Sequence, residues 1–284
     1  MGKRSRKERE ERKARKAAKR GGKRGNKQPK APKTIEGGIP VPGRKARDPF
    51  YTTIMPIQNE LLKLHTKLKD DNERVMVIVE GRATAGKAAL IKRFTEFMLP
   101  KGVGTFRKDP PTETEAQEWY FQRFMREIPA AGQVMFYNRS YYTRAWVDAV
   151  TGACSETEVD QAMAFIPALE KTLMDAGVKI IKLWLSVSAG EQKSRVEALK
   201  GTVNAWQVEE NMNYDTLDNR EAFTAARDKM FAATSQEGAP WVVIDANDEK
   251  QMQINALQYF TSLFDYDEKR TDLLSYDEQI IKVV

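Results

Sequence analysis

Residues 75–94 read Val-Met-Val-Ile-Val-Glu-Gly-Arg-Ala-Thr-Ala-Gly-Lys-Ala-Ala-Leu-Ile-Lys-Arg-Phe, and this stretch constrains the fold more than any other. Residues 75–79 are apolar and mostly β-branched, the pattern of a buried parallel strand. Gly81 and Gly86 bracket four residues, Lys87 follows, and Leu90, Ile91 and Phe94 then recur at helical spacing. A strand, a glycine loop, a lysine and a helix together make a phosphate-binding P-loop. Glycines let backbone N–H groups curl toward an anion, the helix N-terminus adds partial positive charge, and the lysine reaches the outer phosphates. The strict pattern places Ser or Thr after the lysine to hold Mg²⁺, and here that residue is Ala88.

Charge is distributed unevenly along the 284 residues. Residues 1–33 hold 16 Lys and Arg against 3 Glu, a net of +13, whereas the remainder carries 31 basic and 37 acidic residues, a net of −6. The basic character therefore belongs to the tail. That tail has no apolar face to bury against a core or a bilayer and no aromatic residue on which to stack a base. It reads as a solvated low-complexity segment or as an arm for a polyanion or a protein partner. One cysteine, Cys154, excludes an internal disulfide, and with a single histidine, His65, it excludes a His/Cys zinc site. No apolar run approaches the ~20 residues of a membrane helix, and the basic N-terminus lacks the apolar segment of a secretory signal, so cytoplasm is the expected location.

Along the chain, residues 34–49 form a Pro/Gly-rich linker. Ile54, Ile57, Leu61, Leu64 and Leu68 then define one helical stripe, with His65 beside it in a structural place. After the P-loop, strands are expected at 103–106, 133–137, 179–186 and 241–245. Helices are expected at 113–128, 157–176, 190–200, 220–234 and 248–264. Trp119, Tyr120, Phe121 and Phe124 on the first of these read as core. Residues 201–218 are polar and loop-like, and 267–284 show little pattern. Strands alternating with helices predict an α/β three-layer sandwich, a mostly parallel sheet of about five strands with helices on both faces. Ligands of such sheets bind at the carboxyl ends of the strands. The third strand ends in Asn138-Arg139-Ser140, where a P-loop enzyme usually places an aspartate to organise Mg²⁺.

Over roughly residues 50–266 the sequence resembles the polyphosphate kinase 2 family, P-loop kinases that move phosphate between inorganic polyphosphate and nucleotides. Glu80-Gly-Arg with Gly86-Lys87, and Ile91-Lys-Arg-Phe-Thr-Glu behind, matches its Walker A region. Trp119-Tyr-Phe-Gln-Arg-Phe and Pro129-Ala-Ala-Gly match its next helix and turn. Asn138-Arg-Ser-Tyr-Tyr-Thr-Arg-Ala matches its Walker B region, and Leu183-Trp-Leu-Ser-Val-Ser with Glu191-Gln matches the strand and helix before its lid. The resemblance implies a P-loop kinase fold with a lid at about 190–218, polyphosphate and ADP/ATP or GDP/GTP as ligands, Mg²⁺ as cofactor, and a homo-oligomer. It implies that Lys87 contacts the transferred phosphate, that Arg139 and Arg144 stabilise its charge, that Lys108 lies by the polyphosphate path, and that Gly81, Arg82, Gly86 and Arg195 complete the nucleotide- and phosphate-binding set.

Two departures matter. The family's Walker A reads Glu-Gly-Arg-Asp-Ala-Ala-Gly-Lys, and its acidic position is Ala83 here; its Walker B reads Asp-Arg-Ser, and its acidic position is Asn138 here. The lid departs too, with Arg195-Val196 in place of Arg-Phe and Trp206-Gln207 in place of Trp-Lys. No family metal set is intact. Three readings follow from the sequence: an active phosphotransferase in which Glu80 or Asp109 substitutes for the lost acids; a degenerate member that binds phosphates with transfer impaired; or a nucleic-acid, membrane-surface or protein-binding scaffold working through its tail.

Overall fold

A computed structural model of the chain describes residues 33–34, 40–41, 48–200, 202 and 218–284. The basic tail, Trp206, Gln207 and most of the expected lid lie outside the described residues. Within the expected linker, Lys33–Thr34 and Pro40–Val41 pair as a two-residue antiparallel ladder.

Six strands form the main sheet: β1 (Arg74–Gly81), β2 (Val103–Arg107), β3 (Gln133–Asn138), β4 (Val178–Ser186), β5 (Trp241–Asp245) and β6 (Ile281–Val283), in the order β2-β3-β1-β4-β5-β6. The first five are parallel, and β6 runs antiparallel to β5. β1 is central, and its period-2 alternation divides the core. Val75, Val77 and Val79 face one layer, packed by α1 (Pro49–Asp70), α2 (Lys87–Thr95) and α8 (Glu249–Ser262). Met76 and Ile78 face the other, packed by α4 (Gln122–Met125), α5 (Glu156–Asp175) and α7 (Arg220–Thr234). α6 (Ala189–Leu199) follows β4.

The apolar stripe of α1 is buried along its length, each large side chain contributing roughly 1.5–3 kcal/mol of transfer free energy. Asp48 starts that helix by accepting a hydrogen bond from the Phe50 N–H at 3.0 Å, with Pro49 at the first helical position. His65 is buried on the same helix against Gly102, the structural place its position implied.

Two expectations need correction. The single helix over 113–128 is two short ones, α3 (Glu113–Gln117) and α4, because Glu118 is extended (φ −84°, ψ 165°). The break turns Phe121 and Phe124 into the core but leaves Trp119 54% exposed against Phe165, so the aromatic run is core only in part. The stretch 267–284, which has little sequence pattern, supplies the sixth strand. The Asp277 N–H donates to Asn255 Oδ1 at 2.7 Å, Gln258 Nε2 donates to the Leu273 carbonyl at 3.0 Å, and Leu274 and Ile281 are buried. A three-residue edge strand is too short to show alternation, which is why the sequence did not reveal it.

Candidate active site

The site forms at the carboxyl ends of β1 and β3, neighbours in the sheet with Val79 opposite Asn138. The loop after β1 takes its shape from backbone. Gly81 has φ +136°, and a Cβ there would stand 2.3 Å from the Leu185 carbonyl oxygen of β4, so only glycine fits. Gly86, at φ +94°, caps α2, whose first N–H groups point into the loop without helical partners. Lys87 Nζ donates to the carbonyls of Gly81 (2.9 Å) and Arg82 (2.8 Å), curled over its own loop. Ala83 is fully buried.

The turn after β3 is held by side chains. Arg139 sits at φ +65°, a left-handed conformation uncommon for a side chain of this size, with its N–H donating to the Val79 carbonyl at 3.1 Å. Ser140 donates twice to Glu80 Oε1, from its N–H (2.8 Å) and its Oγ (3.0 Å), which locks the turn to the end of β1. Burial raises the Glu80 carboxyl above the ordinary glutamate value, against the opposing pull of Arg139, the Ser140 hydroxyl and Lys87.

Beyond the turn, a wide helical segment (Arg144–Asp148) carries two further charges. The Arg144 guanidinium lies 4.0 Å from the Tyr120 ring centroid, 2.7 Å from Glu158 Oε1 and 3.6 Å from Asp148. Glu158 is itself fixed, since its Oε2 accepts from Ser155 in the capping box that starts α5. Lys108, whose N–H donates to the Asn138 carbonyl at 3.2 Å, places Nζ 3.7 Å from Asp148. Burial lowers the Lys108 ammonium below its ordinary value, Asp148 opposes that, and Arg139 adds to it.

The structure thus brings Gly81, Gly86, Lys87, Asn138, Arg139, Lys108 and Arg144 to one end of the sheet. Two other predicted residues belong to the loop or brace it, with their guanidiniums engaged by protein partners. Arg82 is buried and donates to the Thr224 hydroxyl on α7. Arg195 donates to the Thr84 carbonyl at 3.0 Å and to the Ala246 and Asn247 carbonyls at 2.6 and 3.0 Å, so it braces the loop from α6. Asp148 was missed by the sequence reading, although its i,i+4 spacing from Arg144 could have flagged it. Thr84 was missed as well: it holds φ +59°, costly for a β-branched residue, and no spacing announces that.

The residues present do not fit a protein-held Mg²⁺. Among the described residues no three of His, Cys, Asp and Glu gather to hold a metal ion. Glu80 Oε2 is buried without a hydrogen bond, but it is one oxygen beside Arg139 and Lys87. Asp148 stands between Lys108 and Arg144, and Asp109 is exposed and paired with Arg107 at 2.9 Å. Mg²⁺ in kinase sites is held by one or two carboxylates together with substrate phosphates and water, and the carboxylates at this strand end, Glu80 and Asp148, already face Arg139, Lys87, Lys108 and Arg144. An apolar cleft of about 540 Å³ opens beside the first residues of β4, at the opposite end of the sheet, and contains none of the predicted site residues.

The family model described as Polyphosphate kinase 2 matches residues 45–272. The chain belongs to the polyphosphate kinase 2 family. It is 36% identical over 245 residues to the GDP-polyphosphate phosphotransferase of Mycolicibacterium smegmatis, covering 86% of each protein. It is 34% identical over 236 residues to polyphosphate kinase PPK2B of Corynebacterium glutamicum, covering 83% of this chain and 77% of that one. The crystal structure of polyphosphate kinase 2 from Arthrobacter aurescens TC1 superposes with a TM-score of 0.70 at 26% identity, over 84% of this chain and 85% of that one. The six-stranded, mostly parallel sheet flanked by helices is the polyphosphate kinase 2 architecture. No described helix is long and apolar enough to cross a membrane.

Proposed function

We propose that this chain binds polyphosphate and the phosphates of a nucleoside diphosphate at the β1/β3 end of the sheet, and that it transfers phosphate between them weakly. The observation that carries the reading is the convergence of Lys87, Arg139, Lys108 and Arg144 on one strand end where Ala83 and Asn138 replace the family's two acids. Relatives named for GDP, for nucleoside diphosphates and for ADP point to a diphosphate as the second ligand. An arriving phosphate would draw Lys87 Nζ from the carbonyls of Gly81 and Arg82, and the N–H groups at the start of α2 would take its equatorial oxygens. Arg139, placed by its left-handed backbone, would meet the next phosphate, with Lys108 beyond it. Arg144 is engaged by Glu158 and Asp148 and would exchange one of them for the ligand. The net +13 of residues 1–33 would give a second, salt-sensitive contact with the same polyanion.

Phosphoryl transfer depends on positioning and on neutralising charge, and Mg²⁺ serves both. With the organising carboxylates absent, this site loses several kcal/mol of transition-state stabilisation, on the order of a thousandfold in rate. Anion binding depends on the cations and is retained. Calorimetric titration with inorganic tripolyphosphate tests the reading. Wild type is expected to bind, and Lys87→Ala to bind at least tenfold more weakly. Equal affinity in the two proteins would overturn the assignment of the site.

A further inference from the structure

A second charged cluster lies behind the phosphate site, wholly inside the protein. Glu170 of α5 and Lys182 of β4 are both fully buried and 2.8 Å apart. Glu170 Oε1 accepts from the hydroxyls of Tyr141 (2.9 Å) and Tyr142 (2.7 Å). Glu170 Oε2 accepts from Lys182 and from Gln236 Nε2 at 3.0 Å. Lys182 Nζ also donates to the Thr234 carbonyl at 2.7 Å and lies 3.1 Å from the Tyr142 hydroxyl. Both carboxylate oxygens and the ammonium are thus satisfied without solvent.

Stability alone does not account for such a pair. Removing two charges from water costs several kcal/mol per ion, and well-packed apolar replacements of a buried ion pair are often neutral or stabilising. What the pair does hold is specific. Tyr141 and Tyr142 directly follow Arg139 and Ser140. The Tyr141 carbonyl accepts from the Tyr120 hydroxyl at 3.1 Å, and that hydroxyl in turn accepts from the Arg144 N–H at 3.2 Å. On the other side, the Tyr142 N–H donates to Ser140 Oγ at 3.2 Å, and Ser140 holds Glu80. A left-handed arginine persists only where its surroundings over-determine it. Glu80 fixes the turn from the P-loop side, and Glu170 fixes it from within.

We propose that Glu170 and Lys182 are positioning residues for phosphate binding: through the Tyr141 and Tyr142 hydroxyls they set the turn that aims Arg139 and Arg144. The proposal rests on the phosphate-binding reading above and adds to it the device that orients its cations.

Two double variants test it. Glu170→Leu/Lys182→Met removes the pair at similar volume. Tyr141→Phe/Tyr142→Phe keeps the packing and the pair but cuts the links to the turn. Each double leaves buried polar groups without their partners, the two tyrosine hydroxyls in the first and Glu170 Oε1 in the second, so both are expected to fold with melting temperatures lowered by several degrees, whereas Lys182→Met alone, which strands a buried carboxylate, melts lower than Glu170→Leu/Lys182→Met. In both doubles, amide exchange over residues 138–145 is expected to speed up, and affinity for inorganic tripolyphosphate to fall by about tenfold, equivalent to ~1.4 kcal/mol. Wild-type exchange and wild-type affinity in both doubles would overturn the proposal and leave the pair as core filling. If wild type itself does not bind tripolyphosphate, the phosphate reading fails, while unchanged exchange in the doubles would still refute the hold on the turn.

Discussion

The two loops that meet at the site are built by different means. The loop between Gly81 and Lys87 takes its path mainly from backbone, glycine at φ +136° against the Leu185 carbonyl and the start of α2, with Lys87 and Arg195 donating to its carbonyls. Ala83, at the position of the family's acid, is buried and has no side-chain polar group to contribute. The turn from Asn138 to Arg144 is a side-chain object, hung between Glu80 on one side and the Tyr141–Tyr142–Glu170 cluster on the other. At the family's acidic position it carries Asn138, near-isosteric with aspartate. On the proposed reading, both loops present cations to a phosphate while Ala83 and Asn138 stand where the family's acids would be. That reading makes binding and turnover separable, and the variants below test the separation.

The sharpest way to break the contrast is Gly81→Ala. A methyl group 2.3 Å from a backbone oxygen cannot be accommodated without moving β4, so this variant is expected to lose at least several kcal/mol and to melt far below wild type or fail to fold, as read by calorimetry. Ser140→Ala addresses the other loop. It removes one of the two donors to the buried Glu80 oxygen and is expected to cost about 1–3 kcal/mol, with tripolyphosphate affinity reduced while the fold stays intact. A smaller effect distinguishes the cations. Because burial lowers the Lys108 ammonium, its charge is lost at a lower pH than an ordinary lysine's, so tripolyphosphate affinity is expected to decline as pH rises while still below 10.5. Lys108→Arg, permanently charged, should flatten that profile.

The smallest effect concerns Glu80. Its folded carboxyl holds a proton more tightly than the unfolded one does. Its contribution to stability is therefore fullest below the ordinary value of 4.5 and is lost as pH rises through the raised folded value. Glu80→Gln keeps an oxygen for Ser140 and removes the charge. The wild-type melting temperature should fall relative to the variant's between acid and neutral pH, by a few degrees.

Much of this was legible in the sequence, and the boundary is physical. The α1 stripe and the five parallel strands are visible because burial imposes periods of 3.6 and 2 on residue choice. The glycine loop and Lys87 are visible because their backbone chemistry admits few alternatives. Direction is where the reading ends. Arg82 and Arg195 occupy family positions in the sequence, yet their guanidiniums reach Thr224 and the Thr84 carbonyl, since a long side chain goes where tertiary partners lie. The Glu170–Lys182 pair comes from segments that the fold alone brings together. The strand β6 is too short to imprint a pattern, and no helix-breaking residue marks the break at Glu118.

The central claim is that this member keeps phosphate binding and has lost most of its transfer rate with two carboxylates. Polyphosphate-dependent conversion of ADP and GDP to triphosphates, measured with Mg²⁺ for wild type beside Ala83→Asp/Asn138→Asp, tests it most directly. The double variant is expected to turn over on the order of a thousandfold faster than wild type. Wild-type turnover equal to that of the double variant would contradict it and would mean that this site completes transfer with a different set of residues.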